Sequence, residues 1–175
     1  FSLDRNSQLT LSQQTFIVQY KTYSNFEATK QQFGKVVAAL TAMFPGVLAS
    51  RFGLRYINQI ELPLPDPTRW DDYIAAPLLA QRGFYEAAES VSRLVSIAEL
   101  RDDDIGVRFQ FGMPNPDFPA AIRRPVFVLD LDASVTQAHE LAQTLNFIDR
   151  AHDRIQNLFE RSITDELRRR MDARP

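Results

Sequence analysis

Nine apolar residues near the C-terminus, Leu141, Leu145, Ile148, Ile155, Leu158, Phe159, Ile163, Leu167 and Met171, trace one helical stripe. An unbroken helix from Thr136 to Met171 would be roughly 54 Å long at about 1.5 Å per residue. A domain built from 175 residues is shorter than that. The stripe therefore predicts a helical end that packs across the rest of the fold and is interrupted. Ser162 and Asp165 stand at capping-box spacing and mark the expected break; the start, near Val135–Gln143, is the next candidate.

What that helix covers is read from residues alternating with period two. Arg51 to Pro63 is the longest strand signal, with Phe52, Leu54, Tyr56, Ile60 and Leu62 on one face and Arg55, Gln59 and Glu61 on the other. Asn58 interrupts its apolar face. Ile105–Met113 alternates as cleanly, with Val107, Phe109, Phe111 and Met113 opposite Arg108 and Gln110. Further strands are expected over Ala88–Arg101 and Pro125–Asp132, with a turn at Asp102–Gly106. The proline-rich connection from Pro114 to Pro125 reads as a surface loop.

The N-terminal part predicts three short strands, Phe1–Asp4, Gln8–Ser12 and Thr15–Lys21, then a helix over Asn25–Phe44. Ser24 and Glu27 form its expected capping box, and Pro45-Gly46 stops it. After Pro63–Pro67, a short helix is expected over Thr68–Ile74, capped by Thr68. The fold class is α+β: antiparallel sheets with helices packed on one face. The element order fits two β-α-β-β-β-α halves with the first truncated, divided as 1–50 and 51–175. Because the chain opens at Phe1 inside a strand signal, it is expected to be one domain forming the C-terminal two-thirds of a longer protein.

Composition excludes several classes. With no cysteine there is no disulfide framework, thiolate zinc site or cysteine nucleophile. A net charge of −2 carries no basic field for nucleic acid, and no apolar run is long enough to span a bilayer. Hydrophobic residues, at 45%, suffice for a real core.

Two stretches bear on kinship. The strand Arg51-Phe-Gly-Leu-Arg-Tyr-Ile-Asn-Gln-Ile-Glu-Leu-Pro63 resembles the central signature, GLRYIN-x-I, of a sporadically distributed bacterial family of conserved hypothetical proteins. The run from Ala151 to Leu167, AHD-x-I-x-x-LF-x-x-x-ITDEL, resembles that family's closing helix, and the Leu129-Asp-Leu-Asp132 strand also fits. Members usually extend further at the N-terminus. The resemblance implies no particular activity.

The candidate site residues are therefore taken on their own chemistry. Asp130 and Asp132, two apart on a strand, share a face and could hold a divalent metal for phosphoryl or nucleotidyl transfer; their other reading is the solvent face of a strand with Phe127, Leu129 and Leu131 inward. Arg55 could pair with Asp130, Asp132 or Glu61. Asn58 must find a partner, either a neighbouring loop such as Pro63–Pro67 or a ligand. His152, between Asp149 and Asp153, reads as a hydrogen-bonded or rim histidine, with His139 too distant in sequence to form a helical zinc pair. Trp70 and the Phe84-Tyr85 pair form either a lid on the sheet or a partner surface.

Balanced charge, no catalytic motif and few titratable groups in any one cluster lead to the expectation of a non-enzymatic binding or regulatory module of the cytoplasm, taking a small molecule or a protein, with no cofactor; the resemblance implies that it is bacterial. The alternatives are a divalent-metal-dependent enzyme acting on nucleotide or phosphate groups through Asp130 and Asp132, and a structural homo-oligomer, such as a homodimer, formed through a spare apolar stripe on the last helix.

Overall fold

The computed structural model describes residues 6–85 and 90–173, so the expected strand at Phe1–Asp4 lies outside the described residues. The fold is α+β, with four helices and eight strands in three antiparallel sheets among the described residues. These residues divide into two compact units, one formed by 6–49 with 138–148, the other by 50–85, 90–137 and 149–173.

The first unit opens with a hairpin of β1 (Ser7–Leu11) and β2 (Phe16–Tyr20). Helix α1 (Phe26–Met43) is capped by Asn25, whose side chain accepts the Ala28 N–H at 2.8 Å, one residue later than the expected Ser24 box. Asn25 is extended and its backbone carbonyl receives the Thr29 amide, so the first turn begins there. Phe16 stacks on Phe33 at 5.8 Å, and Val37 and Leu40 form a small core with Leu141. Strand β3 (Leu48–Ala49) pairs with β8 (His139–Glu140), a two-residue ladder too short to signal itself in sequence.

The second unit is built on a four-stranded sheet of β4 (Phe52–Glu61), β5 (Leu94–Asp102), β6 (Ile105–Met113) and β7 (Val126–Val135), ordered β4-β7-β6-β5. Its inner face buries Val107 and Phe109 with Phe127, Leu129, Leu131, Ala133 and Val135. Of the strand expected over Ala88–Arg101, residues 88 and 89 lie outside the described residues, and among the described ones the strand begins at Leu94. Ahead of it the backbone is held otherwise: the Ser92 carbonyl accepts from Asn115 Nδ2 at 2.6 Å and Arg93 lies over the Phe118 ring. Strand β7 runs three residues past Asp132 because both neighbouring strands keep pairing as far as Val135.

The expected helix over Thr68–Ile74 is instead a series of turns. Asp66 rather than a helix start receives the Thr68 N–H and hydroxyl, at 2.9 and 2.7 Å. The carbonyls of Asp72 and Tyr73 are occupied by Thr164, through its hydroxyl at 2.6 Å and its amide at 3.0 Å. Those carbonyls are thus withdrawn from any helical ladder. A short helix α2 (Ala76–Leu79) follows.

The same contacts set the break in the C-terminal stripe. Helix α3 (Thr144–Ser162) ends where Ile163 leaves to bridge Ile74, and α4 (Asp165–Asp172) restarts with Thr164 as cap. The break is where expected, but the capping residue is Thr164 and not Ser162. The Ser162 hydroxyl is donated back to the Leu158 carbonyl at 2.6 Å and is unavailable. Of the stripe within this unit, Ile155, Ile163 and Leu167 are buried, and Met171 is left exposed. Leu158 and Phe159 are half-buried. No helix among the described residues is long and apolar enough to cross a membrane.

Candidate binding surface

The singled-out residues fall in three places. Arg55, Asp130 and Asp132 lie on the face of the sheet opposite the core. Asn58 lies on the core-side face of β4, as does Tyr56, which meets His152 of α3. Trp70 is inside.

The first group is organised by register. Across the four strands, one row reads Arg55, Asp132, Arg108, Glu99, with charge alternating at every step. The next reads Ile57, Asp130, Gln110, Ile97. Within this lattice Arg55 donates from Nε and Nη2 to the two oxygens of Asp130, at 2.8 and 2.6 Å. That paired geometry is the strong form of a charge-assisted contact. The hydrogen bonds that Arg55 donates to Asp130 raise its pKa above the ordinary value, against a smaller opposing effect of desolvation. Asp130 is itself buried, while half of the Arg55 side chain is open to water. Arg51 reaches Asp132 at 3.1 Å, and Arg108 reaches Glu99 at 3.5 Å. A cation held between Asp130 and Asp132 would have to displace two guanidinium groups. Among the described residues no group of three His, Cys, Asp or Glu is placed to hold a metal ion.

The face is not purely ionic. Ile57 is 61% exposed and Ile97 53%, with Val95 also exposed in the next row. An antiparallel sheet can keep one face in water, but that face is ordinarily polar. Aliphatic groups left in water beside fixed ion pairs give this face apolar area that a partner can bury.

On the core-side face, the Asn58 amide donates to the Leu129 carbonyl of the neighbouring strand at 3.2 Å, rather than to the Pro63–Pro67 corner. His152 is half-buried, its Nδ1 3.5 Å from the Tyr56 hydroxyl. His139 belongs to the first unit, buried with Nε2 3.2 Å from the Thr144 hydroxyl. Trp70 has no exposed surface, donates its indole N–H to the Pro67 carbonyl at 3.1 Å and packs against Phe127. Of the aromatics, then, Trp70 is the lid, whereas Phe84 is 83% exposed and lines a shallow groove of about 360 Å³ with Ala80, Gln81 and Tyr85.

Sequence reading placed Arg55, Arg108 and Gln110 on outward faces but did not bring them together, and it passed over Arg51, Glu99, Ile57 and Ile97. Alternation finds each strand's outer face. Only the order β4-β7-β6-β5 sets Asp132 between Arg55 and Arg108. Comparison with protein-family models, curated proteins and solved structures finds no match to this chain.

Proposed function

We propose that this chain is a non-enzymatic binding module of the bacterial cytoplasm that takes a protein partner on the open face of its four-stranded sheet. The observation carrying the reading is the exposure of Ile57, Val95 and Ile97 beside a lattice of alternating, mutually paired charges. Such a lattice is fixed before the partner arrives, which lowers the ordering cost of association. Its guanidinium groups are matched by Asp130, Asp132 and Glu99 on the same face, so it lacks the unopposed positive field that phosphates require. The family resemblance carries no activity and contributes only the bacterial setting; the choice of a protein partner rests on the surface chemistry.

Site-specific photocrosslinking tests it. A photoreactive phenylalanine at Ile97, irradiated in the native host, is expected to form a discrete adduct with one other protein, lost on adding Val95→Lys. The same group at Met171, exposed on α4, serves as control. Adducts at the two positions that cannot be told apart would refute the reading.

A further inference from the structure

Strand β4 is an edge of its sheet. It pairs with β7 and with no other described strand. Which of its backbone groups face outward is fixed by one bond. Leu62, just past the strand, donates its N–H to the Pro125 carbonyl, continuing the β4–β7 register. Backbone groups alternate sides along an antiparallel strand, so the even-numbered residues turn toward β7. Gly53, Arg55, Ile57, Gln59 and Glu61 therefore turn their N–H and C=O groups outward.

Exposed edges are usually blunted by a bulge, a proline, a lysine or brevity. β4 has none of these four, although it carries the charges of Arg55 and Glu61: it runs ten residues in unbroken register with β7, and its first proline is Pro63, beyond its end. A strand left this open favours pairing with another strand, and its own sequence identifies which.

We infer that β4 is the seam of a two-fold homodimer, pairing antiparallel with the same edge of a second copy about an axis through Asn58. In this register residue i meets residue 116 − i of the other chain. Arg55 then faces Glu61 of the second copy, and symmetry makes that ion pair twice. Ile57 faces Gln59. On the core side Tyr56 faces Ile60 and Leu54 faces Leu62, so apolar groups meet apolar groups. Asn58 meets its own copy.

Neighbouring registers lose this match. Centred on Ile57, Arg55 faces Gln59 and Glu61 faces Gly53; centred on Tyr56, Arg55 faces Ile57. The opposite edge, β5, sets Glu99 against Arg101 only when residues 98–102 alone overlap. Arg55 has donors to spare for the new bond: Nε and Nη2 serve Asp130, leaving the two N–H groups of Nη1. Glu61 is 55% exposed, its pair with Arg124 a loose 3.7 Å. The inference does not depend on the open-face reading: it concerns the rim of the sheet, and either can fail alone.

The absence of cysteine makes the test clean, because a single introduced thiol can form a disulfide only between chains. At a non-hydrogen-bonded antiparallel pair the Cα atoms are about 4.5 Å apart, inside the range of roughly 4.4–6.8 Å that a disulfide spans. Asn58→Cys is expected to give a covalent dimer on mild oxidation. Leu54→Cys on the same strand is not, because its copies would stand eight residues apart along the seam, roughly 26 Å. Sedimentation velocity of the unmodified chain is expected to show a reversible dimer that Glu61→Arg weakens at least tenfold, with Trp70 fluorescence confirming that each variant is folded. A monomer at 100 µM would overturn the inference. So would equal crosslinking of the two cysteine variants, or a dimer that Glu61→Arg leaves unchanged.

Discussion

The most demanding consequence of the sheet geometry concerns Gly112, next to last in β6 and paired with Val95 on one side and Val128 on the other. Its φ is +133°, a region that side chains rarely adopt. A Cβ placed there would lie 2.1 Å from the Leu94 carbonyl oxygen and 3.1 Å from the Val95 Cα, both of them backbone. Gly112→Ala must therefore carry backbone strain of about 1–3 kcal/mol. It must also move β5 by about 1 Å or surrender one or two ladder bonds, each worth about 0.5–1.5 kcal/mol. The total expected loss is about 1.5–6 kcal/mol. Gly106 in the same strand is the control: its nearest groups would be carbonyl oxygens at 3.9 Å, so Gly106→Ala should be neutral or stabilising by up to about 1 kcal/mol. Trp70, the only tryptophan and wholly buried, reports the unfolding of this unit. In urea, Gly112→Ala should bring the midpoint down by roughly 2 M relative to Gly106→Ala. Midpoints for the two variants within about 0.3 M of each other would show that the β5–β6 end yields freely, and the argument would fail.

Two further outcomes follow from single residues. Thr164 caps α4 by accepting the Leu167 N–H and holds Asp72 through its hydroxyl, so Thr164→Ala should cost about 2 kcal/mol in urea unfolding while Thr164→Ser stays close to wild type; equal losses would assign the effect to the methyl group. The Asp66 carboxyl is held below its ordinary value, first by the Thr68 backbone N–H and then by the Thr68 hydroxyl. A depressed carboxylate contributes stability above its unfolded-state pKa, and the contribution is lost as pH falls through the folded-state value. The stability gap between wild type and Asp66→Asn should therefore be full near neutrality and close below about pH 4, and a gap unchanged down to pH 2 would contradict the assignment.

These positions differ sharply in how far sequence could reach them. Strands with one wet face announce themselves: Ile105–Met113 matches the observed β6, and the expected helix over Asn25–Phe44 exceeds α1 by one residue at each end. Alternation is local, and both elements are amphipathic. What local pattern could not supply was choice among equivalent partners. Arg55 had three carboxylates in prospect and took Asp130, because β7 lies beside β4 and Asp130 stands diagonal to Arg55 across that pair. Asn58 had a loop and a ligand in prospect and took the backbone of Leu129. Thr68–Ile74 carried helix signals, but its carbonyls were claimed by Thr164, more than ninety residues later. Helix propensity is a weak prior against such tertiary bonds.

The candidate surfaces were hidden for the same reason. A catalytic motif concentrates its chemistry in a short run that can be recognised before folding; here the outward residues come from four strands and acquire meaning only in register. Folding then converts the conspicuous ionisable groups into ion pairs, so Asp130 and Asp132 become parts of a scaffold. On the four-stranded sheet, aliphatic surface at Ile57 and Ile97 stays open, as does backbone along the outer side of β4. Arg55 joins the two, since it belongs to the open face and to the proposed seam. Pairing two β4 edges would make one eight-stranded sheet with a continuous open face, and a partner lying across it would meet both copies of Ile57. The stoichiometry of any complex on that face is therefore coupled to the edge. Glu61→Arg, which leaves the open-face aliphatics intact, should change the stoichiometry without abolishing the photocrosslink at Ile97, whereas Val95→Lys should abolish the photocrosslink and leave the homodimer intact.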